Sequence, residues 1–265
     1  MKTQIIAEVA SNHGGDMALA KEFIHAAAEA HADFVKFQSW QSRLMQPDDS
    51  QYDWFQRSEL SNDAHLELIE ECRARRIEFL TTCFDLPRVA YLASLGMPTI
   101  KVGSADTASY AMLRALREKF SHIILSTGMA TDDEVRQAAS VLESGAFTLM
   151  HTVSLYPTPP ERVNLRRLRW LATMTDSLGY SDHTVGLEAP KVAIAMGVAY
   201  VEKHFCLSRK GPGRVMPWDM TPDELAELTS FAEQVRVLAG TEQLTLVPEL
   251  VAARERFIGR FGDNQ

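Results

Sequence analysis

The chain has 265 residues, of which 46% are hydrophobic and 23% are charged, and these proportions are ordinary for a soluble globular protein. Its net charge of −8 argues against nucleic acid or an anionic membrane as the main partner, although a local basic cluster can still bind a small anion. The three scattered cysteines predict no disulfide framework and fit a cytoplasmic protein, and no apolar run resembles a signal peptide or a membrane span.

Short apolar runs alternate with amphipathic runs eight times along the chain. The apolar runs predict strands that begin at Gln4, Phe34, Glu78, Thr99, His122, Phe147, Leu178 and Tyr200. The intervening runs predict helices, and some carry start signals: Thr131 to Glu134 resembles a capping box, and Thr221 is followed by proline. Eight such units predict an α/β protein with a closed (β/α)8 TIM barrel, a single catalytic domain over residues 1–240.

Two further segments complete the predicted organisation. Arg43 to Ser61 is predicted as a long polar loop after the second strand, and loops of that length on a barrel are often lids. Residues 241–265 are predicted as a tail with a short helix from about Pro248 to Arg260. A doubly wound open sheet is the structural alternative, but the turn SNHGGD lacks the glycine spacing of a dinucleotide site.

Polar residues follow every predicted strand. In a barrel the chemistry lies at the carboxyl ends of the strands, so this pattern predicts one aqueous, charged pocket. The residues are Glu8, Asn12, His13, Lys36, Gln38, Thr81, Thr82, Lys101, Ser104, Ser126, His151, Ser154, Tyr156, Ser181, Asp182, His183, Lys203 and His204.

Two kinds of chemistry fit this set. Two lysines with several hydroxyls and helix N-termini suit a small substrate that carries both a phosphate and a carboxylate. His183 and His204 on neighbouring strands, with a carboxylate nearby, suit a divalent transition metal with open positions. The alternatives are purely structural. The lysines would extend their charged ends to solvent at the end of the barrel, Glu8 would form a structural ion pair, and the histidines would be core residues with all their hydrogen bonds made. Four other histidines are interpreted as surface or loop residues: His13, His31, His65 and His122.

The chain resembles the sialic acid synthase family, which includes N-acetylneuraminate synthases and their legionaminate, pseudaminate and spore-coat relatives. The matching stretches run in order from about residue 5 to residue 205: IIAEVASNHGGD, ADFVKFQ, FLTTCFD, IKVGSAD, ILSTGMA, HTVSLYPTPPERVNL, GYSDHTVG and VEKHF. The combination of YPTPPE, SDHT and EKHF is highly specific. The resemblance implies a barrel, expected as a homodimer, that condenses phosphoenolpyruvate with a sugar aldehyde. The products would be a 2-keto-3-deoxy acid and phosphate, and the cofactor a divalent metal such as Mn²⁺.

The resemblance also implies roles for individual residues. The metal ligands would be His183 and His204, and the catalytic residues Glu8 and Lys36. Phosphoenolpyruvate would be held by Lys36, Lys101, Ser104, Ser126 and Ser181, with Ser154 standing where many relatives have asparagine. The acceptor sugar would face Gln38, Asp106 and Tyr156, and Thr82 is a further substrate-binding position. Glu202 and Lys203 are interpreted as polar residues that flank His204.

Two departures from the family pattern concern the acceptor. The family loop after the eighth strand usually reads Pro-Gly-Pro-Asp, whereas here Pro212-Gly213 is followed by Arg214-Val215, with Asp219 an unaligned substitute carboxylate. Relatives also carry a C-terminal antifreeze-like domain that reaches the acceptor across a dimer, and this sequence ends before it. We therefore expect an acceptor other than plain N-acetylmannosamine. The positive charge that Arg214 adds to the acceptor loop suits an acceptor with a carboxylate or a phosphate, and the alternative is an Arg214 that points to solvent. The competing interpretation is that a separate chain supplies the missing domain and restores ordinary sialic acid synthesis.

Two other functions stay open at this point. A Schiff-base aldolase would use Lys36 or Lys101 and would need no metal. A barrel without activity would serve as a binding or scaffold subunit. The departures in the loop favour the scaffold, whereas the retained Glu8, His183 and His204 oppose it.

Overall fold

Eight parallel strands form a closed barrel in the computed structural model, which describes residues 2–241 and 246–262. The strands are β1 (Gln4–Ala10), β2 (Phe34–Ser39), β3 (Glu78–Cys83), β4 (Thr99–Val102), β5 (His122–Ser126), β6 (Ala146–Thr152), β7 (Leu178–Asp182) and β8 (Tyr200–His204). Each strand pairs with its neighbour in chain order, and β1 also pairs with β8. This confirms the predicted barrel and all eight predicted strands.

α-Helices follow the strands, and several of them pack on the outside of the barrel. They are α1 (Met17–Glu29), α2 (Tyr52–Ser58), α3 (Asn62–Arg75), α4 (Arg88–Ser94), α5 (Tyr110–Arg117), α6 (Asp132–Leu142), α7 (Arg167–Leu171), α8 (Glu188–Ala195), α9 (Pro222–Ala239) and α10 (Pro248–Phe257). The predicted starts are confirmed, since Thr131 and Thr221 each cap a helix through a complete capping box. Across the described residues, no helix is both long and apolar enough to cross a membrane.

The barrel interior is divided into an apolar layer and a polar layer. The barrel interior below the cavity, toward the amino ends of the strands, is filled by four fully buried residues: Ile6, Leu80, Ile124 and Met150. Two residues further along β1, the inward position is taken by Glu8, which is 3% exposed. Because successive residues of a strand point to opposite faces, this step of two keeps both side chains inside the barrel. The apolar layer therefore closes the floor of a polar chamber.

The segment predicted as a polar loop after β2 contains a helix, which is a correction. Helix α2 lies within it, and Trp40 packs edge-on against Phe55 with ring centroids 5.0 Å apart. Trp54 also donates a hydrogen bond from Nε1 to Ser11 Oγ at 3.0 Å. A helix of 7 residues is too short to be stable alone, so these tertiary contacts account for it.

Two histidines expected at the surface or in loops are buried, so that interpretation was wrong for them. His13 and His65 are 1% and 0% exposed, and burial lowers the pKa of each to about 4. His65 Nδ1 lies 2.8 Å from the Ser61 carbonyl, and His13 Nδ1 accepts a hydrogen bond from the Gly15 N–H at 3.1 Å. Both imidazoles are therefore neutral, and each makes a hydrogen bond with a backbone group close to it in sequence.

The predicted tail helix corresponds to α10, which lies within the expected range and ends at Phe257 rather than near Arg260. Parts of the predicted tail, residues 242–245 and 263–265, lie outside the described residues. The division into a barrel over 1–240 and a tail stays a prediction.

Candidate active site

A cavity of about 260 Å³ opens at the carboxyl ends of the strands. Every strand contributes at least one side chain to it, as expected for the catalytic end of a barrel. The predicted site residues that line it are Glu8, Lys36, Gln38, Thr82, Lys101, Ser104, Ser126, Ser154, Tyr156, Ser181, His183 and His204. The structure also brings in residues that sequence reasoning did not select: Phe55, Phe84, Met129, Thr152 and Glu202.

Among the residues to which the family resemblance gives a role, Asp106 is the one that does not line the cavity. Six other residues predicted for the pocket from their place after a strand also lie outside its lining: Asn12, His13, Thr81, His151, Asp182 and Lys203. Asp106 ends a 3-10 turn that begins at Ser104, and its carboxylate accepts a hydrogen bond from Ser109 Oγ at 2.9 Å. The side chain borders a separate surface groove beside Leu86 and Tyr110. Its assignment to the acceptor stays a prediction.

Glu202 lies inside the chamber, which corrects its interpretation as a flanking residue. Its Oε1 is 3.2 Å from Lys101 Nζ and accepts a hydrogen bond from Ser181 Oγ at 3.1 Å. Lys203, the next residue, points to the other face of β8 and pairs with Asp182. The sequence could have predicted this position, because side chains two residues apart on a strand point to the same face. Glu202 stands two residues before His204 and therefore shares its face.

Two lysines and two carboxylates form a buried cluster of alternating charge. Lys36 Nζ lies 2.7 Å from Glu8 Oε2 and 3.6 Å from Glu202 Oε2, and it donates a hydrogen bond to Thr82 Oγ1 at 2.9 Å. Lys101 adds its contact with Glu202. All four charged groups are at most 5% exposed, so each charge depends on its neighbours for stabilisation.

The two carboxylates of this cluster have opposite pKa shifts. Burial raises the pKa of Glu8 to about 7. The positive charge of Lys36 lowers this pKa in part, and the negative charge of Glu202 raises it further. Burial would also raise the pKa of Glu202, but Lys101 and Lys36 outweigh it and lower the pKa to about 2. Near neutral pH, Glu202 is therefore a fixed negative charge and Glu8 can gain or lose a proton.

The lysines differ in the same way. Burial alone would lower the pKa of Lys36, but Glu202 and Glu8 outweigh it and raise the pKa above its ordinary value. Burial lowers the pKa of Lys101, with only partial compensation by Glu202. Lys36 thus stays a cation, and Lys101 is the lysine whose charge a bound anion would stabilise most.

The hydroxyl groups of two cavity residues gather around Gly128. The Gly128 N–H donates a hydrogen bond to Ser104 Oγ at 3.1 Å. A side chain at this glycine has no room, since a Cβ would lie 2.8 Å from Ser154 Oγ and 2.5 Å from Thr152 Cγ2. This close packing brings the Ser104 and Ser154 hydroxyls together at one wall, and such groups suit a phosphate or carboxylate.

His183 and His204 lie side by side, with ring centroids 5.4 Å apart. The Nδ1 atom of His183 is 2.9 Å from the Val153 carbonyl, which can only accept, so Nδ1 carries the hydrogen and Nε2 keeps its lone pair. Burial lowers the pKa of both imidazoles, and His183 lowers that of His204 further. Tyr156 packs on His183 with ring centroids 4.1 Å apart.

The donor set fits a divalent transition metal that keeps open positions. Neutral imidazoles are ligands of choice for such ions, and the backbone carbonyl that orients His183 is the usual outer partner of a metal-bound histidine. Within residues 2–241 and 246–262, no group of three or more His, Cys, Asp or Glu side chains forms a metal centre. A metal held by His183 and His204 would therefore need substrate or water as its other ligands.

Asp219, the possible substitute for the family's loop carboxylate, does not line the cavity. Its Oδ2 accepts hydrogen bonds from the Met216 N–H at 2.8 Å and from Asn12 Nδ2 at 3.4 Å, and the side chain is 1% exposed. Arg214 does not line the cavity; its guanidinium carbon lies 5.6 Å from the centroid of the Trp54 ring. The positive charge expected in the acceptor loop is therefore directed at α2.

Comparison with known proteins places this geometry in a family. The NeuB family pattern matches residues 23–243. The chain is 37% identical to the N,N'-diacetyllegionaminic acid synthase of Campylobacter jejuni over 90% of its length and 78% of that protein. It is 30% identical to the human N-acetylneuraminate-9-phosphate synthase over 95% of its length and 75% of that protein.

A solved structure agrees with these sequence relatives. The N-acetylneuraminic acid synthetase of Leptospira borgpetersenii, crystallised with citrate, superposes with a TM-score of 0.89 at 31% identity. The match covers 97% of this chain and 93% of that chain. The chain belongs to the NeuB family.

Proposed function

We propose that this protein condenses phosphoenolpyruvate with a sugar-type aldehyde to give a nonulosonic-type 2-keto-3-deoxy acid and phosphate. The observation that carries the proposal is the cavity of this NeuB-family barrel, which joins a buried lysine cluster to a pair of neutral imidazoles. The lysine cluster suits a small dianion, and the pair of imidazoles suits a metal beside a carbonyl group. The relatives named as acid synthases support this reading.

Phosphoenolpyruvate would bind between Lys101, Lys36 and the hydroxyls of Ser104, Ser126 and Ser181. Charge balance favours this position. In the free protein, two lysines face two carboxylates, and burial keeps the pKa of Glu8 near 7. An arriving anion favours protonation of Glu8, which removes one negative charge from the cluster and so reduces the repulsion that the anion meets.

The reaction needs one proton to be delivered and one to be removed. Carbon three of phosphoenolpyruvate forms a bond to the aldehyde carbon, and the aldehyde oxygen takes up a proton. Water adds at carbon two and loses one proton, which leaves a hydroxyl group there. The bond from carbon two to the phosphate oxygen then breaks, and this hydroxyl passes its proton to the departing phosphate as the keto group forms. Glu8 is the group we assign to proton transfer, because its pKa of about 7 suits both directions. Gln38 Nε2 donates to Glu8 Oε1 at 3.1 Å and holds the carboxylate in place.

The metal that we propose is a divalent transition ion such as Mn²⁺, held by His183 and His204. When bound, such an ion polarises a carbonyl group. The protein's part is to keep both imidazoles neutral and to fix His183 through Val153. Metal analysis of the purified protein and of His204→Ala tests this assignment.

The acceptor that we propose is an aldehyde other than plain N-acetylmannosamine. The loop after β8 carries Arg214-Val215 where the family has Pro-Asp, and the Asp219 carboxylate is bound within that loop. Phe55, Phe84 and Met129 give the cavity an apolar part that suits an acceptor with apolar substituents. Efficient turnover of N-acetylmannosamine by the purified chain would contradict this part.

A panel of sugar aldehydes, assayed for phosphate release in the presence of phosphoenolpyruvate and Mn²⁺, tests the proposed function. We expect release to require both substrates and to disappear with a chelator. The lowered pKa of Lys101 is the feature that a Schiff-base aldolase would use, so pyruvate and borohydride form the second arm. Covalent trapping at Lys101 would favour the aldolase, and failure to bind phosphoenolpyruvate at all would favour a scaffold.

Compartment and assembly are further proposals. Cys72, Cys83 and Cys206 are free and buried, which supports a reducing, cytoplasmic setting. Val237 and Leu238 near the end of α9 are 62% and 84% exposed, which supports a homodimer that covers them. Light scattering on the purified protein tests the assembly.

A further inference from the structure

Three loops meet beside the cavity at Arg214. The Arg214 N–H donates a hydrogen bond to the Asn12 carbonyl at 3.0 Å, which ties the loop after β8 to the loop after β1. The Arg214 side chain reaches α2, where its Nη1 lies 3.4 Å from Gln51 Oε1 and its guanidinium carbon 5.6 Å from the Trp54 ring centroid. Arg57 also lies over Trp54, at 5.2 Å, but it belongs to α2 and cannot link the loops.

The backbone at this junction is packed closely enough to require glycine. Gly213 has φ +85°, and a Cβ there would lie 2.2 Å from the Asn12 carbonyl oxygen. Gly15 has φ +89°, and a Cβ there would lie 2.2 Å from the Arg57 carbonyl oxygen. Both positions therefore exclude a side chain and allow the loops to touch, which sets Arg214 at a fixed distance from α2.

The side of α2 opposite to solvent reaches the cavity through Phe55. Phe55 lines the cavity and packs against Trp40. The adjacent Trp54 donates a hydrogen bond to Ser11 and has the Arg214 guanidinium near its ring. Since α2 has 7 residues, its position depends on such contacts rather than on its own hydrogen bonds. A change at Arg214 should therefore act on Phe55 without any direct contact between the two.

We propose that Arg214 is a positioning residue that fastens α2 over the cavity through Trp54, so that Phe55 forms a wall of the acceptor subsite. The residue that replaces the family's proline thus sets the shape of that subsite through α2. Its effect on the acceptor rests on the proposed function, whereas its effect on α2 does not.

Hydrogen exchange of the substrate-free protein tests the contact itself. A cation–π contact at an exposed site corresponds to about two- to fivefold in an equilibrium constant, so Arg214→Ala should raise exchange across residues 52–58 by about that factor. Arg214→Lys should restore protection, since lysine also binds over an indole ring. Lys210→Ala, an exposed cation of the same loop, is the matched control and should exchange like the wild type. Equal exchange in Arg214→Ala and wild type would overturn the proposal, as would a rise spread equally over the barrel strands.

Steady-state kinetics tests the consequence for the acceptor. Arg214→Ala and Phe55→Ala should both raise the KM for the aldehyde by about two- to fivefold or more and leave the KM for phosphoenolpyruvate within about twofold. An equal rise of both KM values, or a fall in kcat alone, would overturn the assignment. If no aldehyde is turned over, the proposed function fails while hydrogen exchange still decides whether Arg214 holds α2.

Discussion

Replacing Glu202 with glutamine is the perturbation whose size follows most directly from the buried cluster. Glu202→Gln keeps the shape of the side chain and removes the charge that stands between Lys101 and Lys36. Two lysines would then face the single carboxylate of Glu8, which contacts Lys36, and Lys101 would lose its carboxylate partner. The variant therefore contains a buried positive charge without a full partner.

Two independent estimates give the same magnitude. Removing one partner of a buried ion pair costs about 3–5 kcal/mol in unfolding free energy. The pKa of Glu202 falls from its ordinary 4.5 to about 2, and a pKa difference of one corresponds to about 1.4 kcal/mol, which gives about 3 kcal/mol. For a domain of this size, about 2–4 °C per kcal/mol predicts a Tm lower by about 6–12 °C at pH 7.

Thermal melts followed by circular dichroism over a pH series measure how much Glu202 stabilises the fold and how this stabilisation changes with pH. Because the folded pKa of Glu202 lies below the unfolded value, its stabilisation is fully present above pH 4.5 and is lost as the pH falls toward 2. The Tm difference between wild type and Glu202→Gln should therefore be largest near neutral pH and shrink through that window.

Glu233→Gln is the matched control. Glu233 pairs with Arg236 on α9, where both side chains are about half exposed and solvent screens the pair, so the same substitution should leave the Tm nearly unchanged. A Glu202→Gln protein that melts within a degree of the wild type at pH 7, or a Tm difference that persists unchanged at low pH, would refute the reasoning.

The other predictions concern the two substrates and the metal. Lys101→Ala should weaken phosphoenolpyruvate binding at least about tenfold in calorimetry, because a charge-assisted contact of about 1.5–3 kcal/mol is lost, and unchanged affinity would reject the placement. Glu8→Gln should lower kcat by about 10²–10⁴-fold with little change in phosphoenolpyruvate affinity, and the wild-type rate should change with a pKa near 7 that this variant lacks. His204→Ala should lose most of its bound divalent metal, and full metal content by elemental analysis would contradict the assignment.

The strands and most cavity residues could be predicted from the sequence because both follow simple periodic rules. A buried parallel strand is a short apolar run, and its last residues face the catalytic end of the barrel. Glu8, Lys36 and Lys101 were found in this way. Glu202 was visible to the same rule, since it shares a face with His204, but the three consecutive polar residues of β8 hid the alternation.

Residues beyond the strand ends were harder to predict, because loops have no period that fixes where a side chain points. Asp106 stands two residues after the cavity residue Ser104, yet the 3-10 turn directs the Asp106 carboxylate to Ser109. Arg214 stands in a loop next to the site, yet its side chain lies on Trp54. Helix α2 was hidden because it is short and stands in a polar segment, and contacts with residues distant in sequence hold it in place.

The product of a reaction with phosphoenolpyruvate labelled with ¹³C at carbon three tests the central claim most directly. The wild-type protein, supplied with Mn²⁺ and a panel of sugar aldehydes, should form a 2-keto acid whose mass is the sum of one aldehyde and pyruvate, with the label in the new methylene group and one phosphate released for each product. Lys101→Ala should form little of it. Phosphate release without a labelled condensation product, or equal product from pyruvate and from phosphoenolpyruvate, would contradict the account.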